Sequence, residues 1–240
     1  MIKLSRGFIP GKLWLIAVIP FLGWMSIHST SLTAEELLDQ VKAKLEKVRD
    51  YEAKGKMRTN VIFIKAPVAS VKVYFKKPDK IRIVNENGIS FIPKGSVNIN
   101  LNNILIGGST NFDIIDLGRE KNTNFRIIKL LPRDEGAEIV LSTLYIDETR
   151  LLIMKARTTT RENGTYELDM SYGKYADYGL ADKVIFSFNT KDYKLPKGVT
   201  FDYDDGKKQE DRSLKNKKGK VEIIYSNYSI NKGIPDTVFK

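Results

Sequence analysis

The sequence predicts a mainly β protein with α, in which a strongly curved antiparallel sheet is covered by an N-terminal amphipathic helix. Three observations support this fold class. Apolar residues recur at helical spacing near the start of the chain. From Tyr51 onward the apolar period changes to two. Hairpin signals then follow at Asn87-Gly88 and Asn163-Gly164. Ten or so closely spaced strands indicate a barrel or a strongly curved sheet.

The predicted helix begins with a capping box at residues 33–36, Thr-Ala-Glu-Glu. Behind it an apolar stripe is formed by Leu37, Leu38, Val41, Leu45 and Val48, and the other face is basic and acidic. The spacing predicts an amphipathic helix of about 17 residues. Its stripe must cover an apolar surface, and the concave side of the sheet is the expected one. Leu38, Val41 and Leu45 would lie beneath this cover.

The strands are predicted from alternation. Val71, Val73 and Phe75 would share one face. Lys72, Tyr74 and Lys76 would share the other. Further strands are predicted near residues 61–64, 81–84, 89–92, 97–101, 112–117, 124–129, 138–146, 151–159, 165–172, 183–189 and 221–230. Residues 147–190 are predicted to form a three-stranded antiparallel meander. We expect one domain, because no linker and no fixed-period repeat interrupts this pattern.

Residues 1–31 are predicted to be a signal peptide that is cleaved on export, leaving residues 32–240 as the single domain. The segment has three basic residues, no acidic residue and an apolar run over 13–27. Ser29 and Ser31 fit the small positions of a cleavage site. The alternative is a retained membrane anchor. The expected location is the periplasm of a Gram-negative type envelope. Since the chain has no cysteine, it cannot use disulfides or carry a lipidated cysteine.

The composition argues against an enzyme. The sole histidine is His28, inside the predicted leader, and there is no cysteine. This removes imidazole or thiol nucleophiles and imidazole or thiolate metal sites from the mature chain. Acidic pairs such as Asp204-Asp205 are typical of turns. No catalytic residue, metal or cofactor is therefore expected, and nucleic acid is not an expected partner.

Apolar side chains on the strands are the remaining candidate site. The residues predicted to face the inside of the sheet are Val71, Val73, Phe75, Leu168, Met170, Phe186, Phe188 and Ile223. A small barrel can fill itself with such side chains or enclose a ligand. Periodicity alone does not distinguish the two.

A basic segment lies before the last predicted strand. Residues 207–220 hold seven basic and two acidic side chains. They are predicted to form a solvated loop between the last two strands. The functional alternative is a docking surface for an anionic membrane or an acidic partner.

Two elements of the sequence resemble a known family. One is a strand ending in Lys76-Lys77-Pro78 followed by a strand with Arg82, and the other is the closing segment 225–239, with Tyr, Asn, Ile-Pro-Asp and Phe in order. Together with the leader, the helix and the hairpin at 159–166, they resemble the LolA-type outer-membrane lipoprotein carriers and the related outer-membrane lipoprotein-sorting proteins. The resemblance covers nearly the whole chain.

The resemblance implies a half-open β-barrel of about eleven strands whose concave apolar face holds acyl chains under a helical lid. In the better-known carriers an arginine stands at the position of Lys77 and helps to hold the lid shut. Lys77 and Arg82 are therefore the candidates for a lid latch here.

Two functions follow as hypotheses. The first is a monomeric periplasmic carrier or chaperone for lipoprotein acyl chains or other lipids, with transient contacts to inner- and outer-membrane transport components. The second is a sensor of envelope lipid or stress, or a protein-interaction module, on the same scaffold.

Overall fold

The computed structural model describes residues 32–60, 68–85, 109–162, 164–189 and 218–239. The predicted signal peptide, the hairpin at Asn87-Gly88 and the strand near 97–101 lie outside these ranges. So does most of the basic segment, residues 207–217. Residues 218–220 are described, and they belong to the last strand rather than to a loop, which corrects the predicted boundary.

The described chain contains one α-helix, α1 (Ala34–Glu46), and ten strands. The strands are β1 (Asp50–Asn60), β2 (Ala69–Lys76), β3 (Lys80–Asn85), β4 (Phe112–Arg119), β5 (Arg126–Pro132), β6 (Ile139–Asp147), β7 (Leu152–Thr160), β8 (Gly164–Ser171), β9 (Lys183–Asn189) and β10 (Lys218–Ile230). Short 3-10 turns lie at Ser109–Asn111, Ala176–Tyr178 and Asp236–Phe239. The fold is mainly β, as predicted.

All ten strands form one antiparallel sheet in the order β3-β2-β1-β10-β9-β8-β7-β6-β5-β4. The edges of this described sheet are β3 and β4, so its strands form a curved half-barrel that does not close. Strands β7, β8 and β9 are consecutive neighbours, which confirms the predicted meander.

A β-bulge between Lys54 and Gly55 helps the long pair β1–β10 to curve. At this point the two backbones approach closely: a Cβ on Gly55 would lie 2.6 Å from the carbonyl oxygen of Ile224. No real Cβ tolerates that distance, so the bulge requires glycine.

Helix α1 begins as predicted but ends earlier. The Thr33 hydroxyl accepts a hydrogen bond from the Glu36 N–H at 3.1 Å, and the Glu36 carboxylate accepts one from the Thr33 N–H at 2.9 Å. The helix has 13 residues and stops at Glu46. Val48, which was predicted to belong to the helical stripe, is buried but lies beyond the end of the helix.

Candidate functional site

Strand register brings the predicted inner residues onto one face of the sheet. Phe186 of β9 lies opposite Leu168 of β8 and opposite Val221 of β10. The same row continues through Ala156 and Leu144 to Ile128, and thus crosses six strands. Directly opposite residues share a face. The row therefore forms a continuous apolar strip across the middle of the sheet.

The other predicted residues extend this inner face. Met170 lies opposite Val184, which lies opposite Ile223. Phe188 begins a parallel row on β9. On the β2 side, Val71, Val73 and Phe75 are 1%, 1% and 0% exposed. Leu168, Met170 and Phe188 are also buried, whereas Phe186 and Ile223 are partly buried. All eight residues therefore lie on the expected face.

Helix α1 packs its apolar stripe on the β4–β9 part of this face. Leu37, Leu38 and Val41 are buried there in one cluster with side chains of the sheet, and Leu45 is partly buried against it. The turns at Ser109–Asn111 and Ala176–Tyr178 contact the helix on either side.

Few polar contacts hold the C-terminal end of the helix. The ammonium of Lys77 donates a hydrogen bond to the carbonyl oxygen of Glu46 at 2.9 Å. Lys44 Nζ donates one to the carbonyl oxygen of Arg150 in the turn before β7, and partial burial lowers the pKa of the Lys44 ammonium. Both donors are flexible lysine side chains that bridge α1 to the rim of the sheet.

The connection between α1 and β1 is clamped by Asn231. Its side-chain oxygen accepts a hydrogen bond from the Arg49 N–H at 2.7 Å, and its amide nitrogen donates to the carbonyl oxygen of Lys47 at 2.8 Å. Asn231 has a φ of 56°, a left-handed conformation that asparagine tolerates better than most residues. The clamp fixes the point at which helix turns into strand.

Of the two latch candidates, Lys77 donates a hydrogen bond to the last residue of the helix. Arg82 Nη1 donates to the carbonyl oxygen of Val238 at 2.6 Å. Lys76 Nζ and Lys80 Nζ contact Asp236 Oδ1 at 2.8 and 3.1 Å in the same C-terminal segment. These three basic side chains thus tie residues 234–238 across β2 and β3.

Aromatic side chains fill the inner face on the β1–β2–β10 side. The Tyr228 ring packs against the rings of Tyr51, Tyr175 and Tyr225, with centroids 5.3, 4.9 and 5.1 Å away. The Tyr228 hydroxyl donates to the carbonyl oxygen of Ala181 at 2.7 Å. Burial raises the pKa of the Tyr51, Tyr225 and Tyr228 phenols well above the ordinary value. These phenols stay neutral in the folded protein at physiological pH.

Two polar groups interrupt the apolar inner face. Ser142 and Thr158 are fully buried and share a hydrogen bond of 3.0 Å between their hydroxyls. Nearer one end, Arg126 is held between Asp116 and Glu148, and its hydrogen bonds lower the pKa of Asp116. Both groups are internally satisfied, so they do not present reactive atoms.

Among the described parts of residues 32–239, the structure contains neither a cluster of metal ligands nor a helix that could span a membrane. No cluster of three or more histidine, cysteine or acidic side chains is placed to hold a metal ion. In the same ranges, no helix combines the length and the apolar character needed to cross a bilayer.

Sequence reasoning missed the Asn231 clamp and the tyrosine cluster. Asn231 lies in segment 225–239, which resembles the family. Nothing in the sequence around it indicates a contact with residues about 180 positions earlier. The tyrosines had a weak signal, because Tyr225 and Tyr228 occur three apart in that segment. The bulge in the β1–β10 pairing brings both to the inner face.

The fold is similar to that of several solved structures. An outer membrane lipoprotein-sorting protein domain from Vibrio parahaemolyticus superposes with a TM-score of 0.50 over 85% of this chain and 95% of its own, at 12% identity. A DUF1329 family protein from Desulfovibrio piger gives a TM-score of 0.51 over 86% and 95% of the two chains, at 13% identity. The chain has the fold of these proteins.

This likeness confirms the resemblance predicted from the sequence, at the level of the fold. A LolA superfamily protein from Nitrosomonas europaea also aligns over 88% of this chain and 98% of its own, at 10% identity and a TM-score of 0.49. No protein-family model and no curated protein matches the sequence.

Proposed function

We propose that this protein carries lipid in the periplasm, binding the acyl chains of lipoproteins or other lipids against the inner face of the sheet for transfer toward the outer membrane. The observation that carries the proposal is the apolar strip from Val221 to Ile128, which is continuous over six strands and has α1 packed on its β5–β9 part. The fold is the one found in an outer membrane lipoprotein-sorting protein domain.

Ligand entry requires α1 to move, because the side chains beneath it are almost fully buried in the closed arrangement. Opening would expose mainly Leu37, Leu38 and Val41 from the helix. At about 2 kcal/mol for each buried aliphatic side chain, this costs roughly 6 kcal/mol. An acyl chain of some sixteen carbons gains on the order of 10 kcal/mol on burial. An acyl chain can therefore replace the helix on the sheet, and the helix can later help to expel it.

The polar contacts of α1 suit a reversible lid. Lys77 reaches the helix from the sheet, and Lys44 reaches from the helix to the turn before β7, both from partly exposed positions. Exposed hydrogen bonds of this kind add only about 1 kcal/mol each to stability. We propose Lys77 as the latch, and the Asn231 clamp keeps the connection from α1 to β1 in place.

The remaining features are proposed with this role. Residues 1–31 would act as a cleaved signal peptide and residues 32–240 as one monomeric carrier domain in a Gram-negative envelope. The protein would have no catalytic activity, and it would meet inner- and outer-membrane transport components only transiently.

A fluorescent acyl probe tests the proposal. The full chain, exported and purified, should bind the probe and release it to competing diacyl lipid, and mass spectrometry should find co-purified lipid. Ile223→Ala should weaken probe binding several-fold, because its side chain faces the inside. Ile224→Ala, one residue along the same strand on the outer face and 48% exposed, is the matched control. Absence of both co-purified and exchangeable lipid would refute the proposal.

A further inference from the structure

The outer face of the sheet, opposite α1, is unevenly charged. Among the described side chains of β1, β2, β9 and β10, this face carries seven basic and three acidic ones, and none of these strands is covered there by α1. The basic residues are Lys54, Lys56, Arg58, Lys72, Lys76, Lys183 and Lys220, and the acidic ones are Asp50, Glu52 and Glu222. Lys76 forms an ion pair with Asp236. We call this surface the basic face.

The centre of the basic face places like charges together. Lys54 of β1 lies directly opposite Lys72 of β2, and Lys56 lies two residues further along β1 on the same side. Like charges directly opposite each other on paired strands are destabilising. Lys54 and Lys56 are both exposed, and neither forms an ion pair in the part of the chain that the structure describes.

Glu222, the acidic residue of this face on β10, pairs with residues other than Lys54 and Lys56. The Glu222 carboxylate contacts Lys183 Nζ at 2.5 Å and Arg58 at 3.9 Å. The opposite half of the same sheet is arranged differently. There Glu167 of β8 lies 3.6 Å from Lys155 and 3.7 Å from Arg157 on β7. The charge imbalance is therefore local to the basic face.

Apolar side chains stand among the lysines of the basic face. Ile224, opposite Lys56, is 48% exposed, and Val84, opposite Lys72, is 36% exposed. A surface that combines lysines with exposed aliphatic groups complements the headgroup region of an anionic bilayer, where phosphates meet the ends of acyl chains.

We propose that the basic face docks the protein on membranes that contain anionic phospholipid. The inference is independent of the proposed lipid carriage, because it uses only outer-face residues that contact neither α1 nor the inner apolar strip. Each lysine brought close to an anionic surface adds about fivefold to the affinity. Loss of three central lysines is therefore expected to weaken binding about 100-fold.

Vesicle co-sedimentation of the full chain tests this. The wild type should bind phosphatidylcholine vesicles that contain about a third phosphatidylglycerol, should not bind pure phosphatidylcholine, and should detach as salt rises to about 0.5 M. The test variant combines Lys54→Gln, Lys56→Gln and Lys72→Gln. The matched control combines Lys121→Gln, Lys155→Gln and Arg157→Gln, which removes the same charge from the other half. All variants are prepared in the same form and keep the same residues 207–217, so the contribution of that segment is common to them.

The test variant should lose about 100-fold in affinity, the control less than about fivefold, and a triple Lys→Arg variant at the same positions should bind as the wild type does. Thermal unfolding shows whether each variant is folded, and the arginine variant keeps the test valid if the glutamine variant is not. Equal losses in test and control would mean that net charge alone drives binding and would overturn the proposal. So would failure of the wild type to bind anionic vesicles.

Discussion

The Lys77 ammonium lies 2.9 Å from the carbonyl oxygen of Glu46, the last residue of helix α1. A cation at a helix C-terminus also interacts favourably with the helix dipole. The contact joins the end of the helix to the turn between β2 and β3. It is the position at which the sequence resemblance placed a lid latch.

Lys77→Met should loosen the end of α1. Removing the hydrogen bond and the charge should lower the free energy of unfolding by at most about 1 kcal/mol, while amide hydrogen exchange in the last turn of α1 becomes faster. Lys77→Arg should keep most of the protection. Lys47→Met, an exposed neighbour on the helix side, is the control. Unchanged exchange in Lys77→Met would show that the contact does not hold the helix.

Asn231 should matter more, because it makes two hydrogen bonds to the helix–strand connection. Asn231→Gly should cost about 1–2 kcal/mol in a denaturant titration. Asn231→Ala should cost about 1 kcal/mol more, since alanine also pays for the positive φ. If alanine and glycine are equally stable, the left-handed conformation at this residue is not required by the fold.

Within the tyrosine cluster, the hydroxyl groups are not equivalent. Tyr228→Phe leaves the Ala181 carbonyl without its buried donor and should cost about 1–2 kcal/mol. Tyr225→Phe should be nearly neutral, because its hydroxyl has no hydrogen-bond partner among the described residues. Denaturant titration of the two variants compares the same chemical change in one cluster. Equal losses would contradict the hydrogen-bond assignment.

Acid should weaken the Arg126 network. The pKa of Asp116 is lowered chiefly by its hydrogen bond from Arg126, so the unfolded chain takes up the proton first as the pH falls. The stability that Asp116 contributes is complete above its unfolded pKa of about 4 and is lost as the pH drops through the lower folded value. Asp116→Asn should therefore show a smaller loss of stability between neutral and acidic pH.

The control for this titration is Asp113→Asn, which removes one carboxylate from an exposed ion pair with Arg133; such pairs contribute little to stability. If the stability of Asp116→Asn depends on pH as the stability of the wild type does, the Arg126 network does not contribute to the acid sensitivity of the fold.

The strands and the helix could be predicted because one local signal, apolar periodicity, reports which residues are buried. Alternation around Val73 identified both its strand and the inward face, and register then placed Phe186 and Leu168 opposite each other. The early end of α1 could not be predicted. It depends on the Asn231 side chain, which comes from the far end of the chain, and no local pattern records such a contact.

The candidate site also has a part that the sequence predicts and a part that it does not. The strand period determines which residues face inward, so all eight apolar residues could be placed on the inner face from the sequence. Polar contacts depend on the three-dimensional path of loops, so the sequence could not tell which of the two latch candidates contacts the helix. Lys77 reaches the helix, whereas Arg82, chosen on equal grounds, reaches the carbonyl oxygen of Val238.

The most direct test of a movable lid is to lock it. Gly179 lies beside the end of α1: a Cβ there would be 3.5 Å from Leu45 Cγ, close to the separation that a disulfide needs between one sulfur and the opposite Cβ. Because the chain has no cysteine, Leu45→Cys combined with Gly179→Cys can form only this pair. The single variants control for the substitutions and for the positive φ of Gly179.

The measurement is binding of the fluorescent acyl probe by the double variant before and after reduction. If acyl chains enter beneath α1, the oxidised protein should lose at least about tenfold in affinity and recover it when the disulfide is reduced, while the single variants do not respond to reductant. Full binding by the oxidised, locked protein would contradict the account, because the helix could then not be the lid.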